Sequence, residues 1–514
     1  MKKLLINKLV PLFLKEGEGE ILLPLRANPP VSPFNKGGIS VIARLATGIL
    51  TKSLFLFFTA LLFCGNAAAQ PSYKQISCVI HVHSNFSEGN NKSIDEIAAE
   101  AKASGIDALI TADKDLLQWE YGLWPLRNLI KKTIRQRSVL SSDPYKYLSA
   151  IRNAEQLNPG LIIIPGMESA PFYYWSGSPF NNDLSMLGWH KHLLIAGLED
   201  PEAYMNIPVV SNEWAGSFSL LTLWPLIFLI PAFVFRRSKV VFFVFLAACL
   251  VTLADNYPFR AYPFNQYNGQ QGEKPYQNLI NYVQNKGGLI YWAHPESPNN
   301  EIPQKMGMVN CSTSKYAESL LTTTGYTGFA IFSEGYKEAG CLGGYWDRAL
   351  MEYCLGKREK PVWAIGEVDY GENSFRLDII RNILYVTDIT KTSVLEALRN
   401  GNCHVLWRAA TWELTMNKFK ISSGKNEAVC GQEIVYDGPV RIHNSIATSD
   451  DVQRPIKIYM VKNGALLKTI EITTPAMFVF EDTAPLRDGM NYYRIFIDAG
   501  YANYIATNPV FVKK

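Results

Sequence analysis

The chain has 514 residues, 48% of them hydrophobic, and carries 50 Lys and Arg against 46 Asp and Glu, for a net charge of +4. That length accommodates more than one domain; the near-balanced charge argues neither for nor against nucleic acid, and with no basic run interleaved with aromatics no nucleic-acid partner is expected. None of the eight cysteines falls in a CxxC spacing, which excludes a zinc ribbon and a thioredoxin-like site.

Residues 1–40, with segments such as KEGEGE and ANPPVSPFNKGG, are rich in Gly, Pro and charge and lack periodicity. They read as a disordered leader or an over-extended start. Residues 41–70 read as a signal peptide or an N-terminal anchor. Lys52 precedes the apolar run Ser53 to Phe63, and the small residues Ala67, Ala68 and Ala69 follow it.

Across 72–212 and 256–405, short apolar runs alternate with helical patterns, as in βα units around a parallel sheet or barrel. The first helix is SIDEIAAEAKASG, in which Ser93 and Glu96 form a capping box and Gly105 ends the pattern. Between these two parts, Phe218 to Phe235 is apolar apart from interruptions at Pro225 and Pro231. Arg236, Arg237 and Lys239 follow, and Val240 to Ala254 is apolar again. Residues 217–254 therefore read as a transmembrane hairpin with its basic loop in the cytoplasm and both flanks outside. The plainer alternative is a buried helical pair in a soluble protein. From 410 to 514 the runs alternate like half-buried strands, with turns at Asn463-Gly464 and Asp488-Gly489, and predict a small β-sandwich. His404 and His443 read as incidental there. In an exported chain the cysteines are open to pairing, Cys311 with Cys341 for example, against the alternative of free buried thiols.

The residues flanking each apolar run carry the chemistry. ISCVI leads into His81-Val82-His83, ALIT into Asp113-Lys114-Asp115, and LIIIP into Gly166-Met167-Glu168. LLIAG is entered through His190-Lys191-His192. LIYWA leads into His294-Pro295, GFAIF into Glu334, and VWAIG into Glu367-Val368-Asp369. Taken singly, each has a bland reading: His294 as a core histidine, Glu168 as a cap. Taken as a series at strand ends, where parallel α/β barrels build their sites, imidazoles and carboxylates are the ligands that suit zinc, manganese or iron.

This series resembles the PHP domain, the polymerase and histidinol phosphatase family. Its members read H-x-H-T-x-x-S-D-G, T-D-H, P-G-x-E, A-H-P and G-S-D-x-H in that order. The present chain reads HVHSNFSEG, TADKD, PGMES, HKHLLIAG, WAHPE and GEVDYG over about residues 76–405. Export and a β-rich tail ending Thr507-Asn508-Pro509-Val510-Phe511-Val512 resemble the CehA/McbA group. The resemblance implies a distorted (β/α)7 barrel holding up to three metals. His81, His83, Glu168 and Asp369 match one site. Glu168 bridges to a second, completed by His192 and His294, with His190 able to stand in for His192. The third site departs from the family, with Glu88, Lys114 and Gly371 at its positions, so two divalent ions are expected. Asp113, Glu334 and Glu367 are further candidates. The implied activity is hydrolysis of a small-molecule phosphoester outside the cytoplasm by a metal-bridging hydroxide, with Glu168, Asp369 and Lys114 in catalytic roles. The rivals are a carboxyl or carbamate ester hydrolase with the same metals and a non-catalytic ligand-sensing or scaffold barrel at the membrane.

Overall fold

The structure is a computed structural model that describes residues 73–297, 301–372, 374 and 376–514. The expected leader and signal segment lie outside these residues. The first strand, β1 (Lys74–Val82), is buried over its last seven residues. Helix α1 (Ile94–Ala103) follows, capped by Ser93 and Glu96 in reciprocal hydrogen bonds, and buries Ile94, Ile97, Ala98 and Ala101. Gly105 then takes φ +70, a left-handed conformation that lets the chain turn back.

Strands β2 (Ala108–Thr111) and β3 (Asp113–Lys114) are separated by one residue, and β4 (Gln118–Gly122) pairs with β5 (Lys131–Arg135) in a hairpin. Helix α2 (Pro144–Leu157) leads to β6 (Ile162–Ile164) and β7 (Gly166–Ser169), which Pro165 separates. A proline has no N–H to give a ladder, so a break there is expected. Next come β8 (Leu193–Ala196), α3 (Lys239–Asn256), α4 (Lys274–Asn285), β9 (Leu289–Trp292), β10 (Gly328–Phe332) and α5 (Tyr345–Cys354). They are followed by β11 (Trp363–Gly366), β12 (Ile380–Val386), α6 (Lys391–Arg399) and β13 (Cys403–Arg408).

These strands form a mixed α/β arrangement in two sheets. One sheet runs β6-β2-β1-β12-β13, and the other β3-β7-β8-β9-β10-β11. The chain passes from the first to the second at Ala112 and again at Pro165. The closed, parallel (β/α)7 barrel implied by the resemblance is not what the pairing records. Strand β8 runs antiparallel to both β7 and β9. Between the segment after β11 and β1 there is one isolated bridge, Val82 with Tyr370, flanked by Val368 N donating to Ile80 O at 3.0 Å and Tyr370 N to His81 O at 2.9 Å.

In 410–514, a four-stranded sheet that includes Leu414–Ser423, Val440–Thr448 and Ala476–Asp482 lies over a core of Phe419, Ile442, Ile458, Ile495 and Ile505. The facing strands continue the sheet of β1, because β13 pairs with Asn503–Thr507. Asn508 fastens this region to β11, accepting from Ala364 N at 2.8 Å and donating to Ala364 O at 3.0 Å.

In the apolar insertion, α3 has 18 residues and a mean hydropathy of 1.8, with 11% of its residues buried. Among the described residues it is the one helix long and apolar enough to cross a bilayer. The arm before it, Leu220–Val234, is shorter and changes from a 3-10 turn to an α-helix after Phe228. Cys311 and Cys341 are both free thiols, as are the other described cysteines.

Candidate metal centre

The site assembles at the rim where β1, β7, β9 and β11 end. Strand β8 enters at that same rim because it is reversed: its first residue, Leu193, pairs with Ser169 and Trp292, the last residues of β7 and β9. This explains why His190 and His192 precede their strand while the other candidates lie at or just beyond the ends of theirs.

Glu168, 2% exposed, lies at the centre. Its Oε2 is 3.6 Å from His81 Nε2 and from His83 Nε2, and Lys114 Nζ donates to it at 2.5 Å. Its Oε1 contacts His192 Nδ1 and is 3.1 Å from His294 Nε2. Asp369 Oδ1 is 3.3 Å from His81 Nε2 and 3.1 Å from His83 Nε2. The ligand atoms of His81, His83 and Glu168 lie within 4.8 Å of one another, and so do those of His190, His192 and His294. His190 and His192 are therefore both present in the second group, where one had been expected to replace the other.

The backbone is unusual at the same places. His81, Asp369 and His294 have φ of 73°, 45° and 22°. Non-glycine residues rarely adopt this region, at a cost of roughly 1–3 kcal/mol each, and such residues cluster at functional sites.

The remaining candidates separate by their partners. Glu367 holds two of the histidines: its Oε2 is 2.9 Å from His81 Nδ1, and its Oε1 accepts from His294 N at 2.6 Å. A carboxylate on one imidazole nitrogen orients the other toward a cation. Asp113 accepts from Ser84 N, Ser84 Oγ and Ser87 Oγ at 2.7–2.8 Å, so it secures the turn after β1. Glu88 is exposed and lines the cavity beside the cluster. Glu334 lies in a different hollow, with Lys315 and Trp407, where burial raises its pKa.

Protonation follows from burial and neighbours. Burial drives His190 and His192 down, His192 to about 4, which leaves these two neutral, whereas at His81 and His294 the neighbouring carboxylates outweigh burial and raise the pKa. Burial works against the charge on Glu168, yet His192, Lys114 and His81 hold its pKa well below the usual value. Burial likewise opposes the charge on Lys114, and Glu168 and Asp369 outweigh it. The donor set fits divalent metal on a further ground: His81 Nε2, His83 Nδ1 and His190 Nδ1 are buried with no hydrogen-bond partner. Native structures seldom leave such atoms unpaired.

A cavity of about 280 Å³ opens beside the cluster, lined by Lys114, Glu168, His190 and His192 and walled by Leu116, Trp119, Tyr173 and Trp189. It is also lined by Asp115, 3% exposed, whose pKa burial lifts to about 7. From the sequence, Asp115 stood out only as a possible ion-pair partner of Lys114. Tyr316, whose hydroxyl is 3.2 Å from His294 Nδ1, has no local sequence signal at all.

No family model matches this chain, and no curated protein matches it. Solved structures resemble it, two of them as follows. A two-domain protein from Bacteroides vulgatus containing a predicted PHP-like metal-dependent phosphoesterase is 11% identical, with 85% of this chain and 95% of that one covered and a TM-score of 0.33. An amidohydrolase from Chromobacterium violaceum, with bound sulfate and no metal, is 13% identical over 59% of this chain and 89% of that one, with a TM-score of 0.26. At these scores neither decides what the chain does, and the case rests on its own residues.

Proposed function

We propose that this chain is a metal-dependent hydrolase of PHP type, akin to the CehA/McbA group, that cleaves a small-molecule phosphoester outside the cytoplasm. The observation that carries the reading is the division of Glu168, one oxygen facing His81 and His83 and the other facing His192 and His294. A single carboxylate between two imidazole groups is what a two-ion site requires, and two ions of zinc, manganese or iron are expected. Bound there, divalent metal supplies Lewis acidity and lowers the pKa of water.

The chain's own residues do the rest. His81, His83 and Asp369 bind on one side of Glu168, and His190, His192 and His294 on the other. Glu367 fixes the His81 ring and the His294 backbone. Lys114, on the cavity wall, presents a fixed ammonium to the charged ester, a role suited to its compact charge. In this reading the strand series is a distorted (β/α)7 barrel, interrupted by a membrane hairpin at 217–254 and followed by a sandwich at 410–514.

Elemental analysis of metal-replete protein is expected to give about two ions per chain. A panel of phosphate monoesters and diesters, carboxyl esters and carbamates, assayed during metal titration, is expected to favour a phosphoester. Protein that stays inactive after reloading with Mn or Zn would overturn the enzyme reading. Reporter fusions after Asp200 and after Tyr257 are expected outside the cytoplasm, and one between Arg237 and Lys239 inside.

A further inference from the structure

The hairpin of β4 and β5 is tied to the end of α3. Asp255, 6% exposed in the last turn of that helix, accepts from the backbone N of Asn128 and of Leu129 at 2.8 Å each. Asn128 Nδ2 donates in return to Asp255 O at 2.8 Å. Two main-chain donors on one buried carboxylate fix the hairpin tip against the apolar insertion.

The tip itself is not folded away. Residues 123–130 read Leu-Trp-Pro-Leu-Arg-Asn-Leu-Ile, and Trp124 is 80% exposed, Leu129 52% and Ile130 51%. Strand β5 is exposed throughout and carries Lys131, Lys132 and Arg135. Residues 118–137 hold five basic side chains and one acidic, a net charge of +4 equal to that of the whole chain. The base of the hairpin is held firmly, with Gly122 N donating to Tyr267 Oη at 2.6 Å and Trp175 Nε1 to Glu120 O at 2.9 Å. An exposed apolar tip with an indole, flanked by excess positive charge and held at the end of an exposed apolar helix, has the composition of a membrane-interface element.

We propose that the β4–β5 tip is a second membrane contact, with Trp124, Leu129 and Ile130 entering the interface and Lys132 and Arg135 meeting anionic lipid headgroups. The inference rests on the reading of 217–254 as membrane-embedded. Asp255 sets the depth, because it pins the tip to the level at which α3 ends. Gln118 and Trp119, at the base of the same hairpin, line the catalytic cavity. At about 3.4 Å per residue, the five residues of β4 put the cavity about 17 Å above the tip.

The test uses the full chain reconstituted in phosphatidylcholine vesicles with brominated acyl chains and about one-third phosphatidylserine. Tryptophan fluorescence is compared for the wild type, Trp124→Phe and Trp224→Phe, the second reporting the first arm of the insertion. Both substitutions are expected to remove a lipid-quenched component. Replacing phosphatidylserine by phosphatidylcholine, or introducing Lys132→Gln with Arg135→Gln, is expected to lower the Trp124 component about twofold. A quenched Trp224 with an unquenched Trp124 overturns the tip contact and leaves the membrane insertion standing. A quenched Trp124 with an unquenched Trp224 keeps the tip contact and removes the insertion. Quenching of neither overturns both. A Trp124 component indifferent to lipid charge overturns the headgroup assignment.

Discussion

Arg494 and Asp347 are 2% and 1% exposed where the C-terminal β region meets α5, and they form two hydrogen bonds of 2.8 and 2.7 Å. Nearby, Lys462 donates to Asp482 at 2.7 Å and to the carbonyls of Ala484 and Pro485. Each buried cation there has its anion. Most of the rim is buried to a similar depth, Asp369 being exposed and His190 half-buried, but it is composed differently. Five imidazoles crowd around Glu168, Asp369 and Glu367, ring nitrogens are left without partners, and the backbone is strained at His81 and Asp369. The contrast separates two uses of buried polarity. At the Arg494–Asp347 contact the buried charges satisfy one another and thereby fix a docking geometry. The other leaves ring nitrogens unpaired, and in the proposed reading the missing partner is a cation from outside.

The comparison breaks most decisively at its two centres. Glu168→Gln is expected to lower turnover by about 10³-fold or more and to reduce metal content, with circular dichroism unchanged, because an amide cannot neutralise two cations. Normal turnover would reduce Glu168 to a structural acid. Arg494→Met, by contrast, is expected to cost about 3–5 kcal/mol in denaturant unfolding by stranding Asp347, with metal content unaltered in the folded fraction. A loss of metal there would mean that the two regions are not independent.

Smaller effects sharpen the contrast. Lys114→Met is expected to slow turnover by about 10²-fold without loss of metal, since the ammonium contributes charge and no ligand atom. Wild-type rates would make Lys114 merely the counter-ion of Glu168. The mildest test is pH. His404 is buried away from the rim, 3.0 Å from the Tyr385 hydroxyl, and burial pushes its pKa from 6.5 down to about 3. Below pH 6.5 the unfolded chain takes up a proton that the folded protein refuses until about pH 3. Its contribution is therefore intact above that window and lost as pH falls through it, at up to about 1.4 kcal/mol per pH unit. His404→Asn is expected to flatten the acid limb of the stability curve by that slope. An unchanged limb would mean that His404 is protonated when folded.

The candidate ligands were legible because they gather at the ends of apolar runs. His-x-His on β1, and carboxylates directly after buried apolar runs, already pointed to one rim. The direction of β8 was not legible from the run itself, since four apolar residues pair equally well either way. Only the position of His190 and His192 before the run hinted at reversal. Nor did the sequence distinguish Asp113 from Glu367, which both follow apolar runs. Their roles depend on partners brought from elsewhere, Ser84 and Ser87 for one and His81 with His294 for the other. Whether the strand series closes into a barrel was not legible for a related reason. Runs of three to five residues say that strands exist, but a ladder broken at Pro165 and shifted between sheets is decided by tertiary pairing. In the apolar insertion the interruptions at Pro225 and Pro231 were legible, and the first arm is shorter and less regular than α3.

In the proposed two-ion reading, the sharing of Glu168 has a thermodynamic consequence. One unit of negative charge serves both imidazole groups, so occupancy on either side is linked to occupancy on the other. A first cation draws on a carboxylate that the second must also use, and the two binding free energies cannot be independent. Reciprocity then requires that whatever penalty the first ion imposes on the second, the second imposes equally on the first. Titrated with scarce metal, the protein should pass through a singly loaded population before the pair is complete, and calorimetry should resolve two unequal steps.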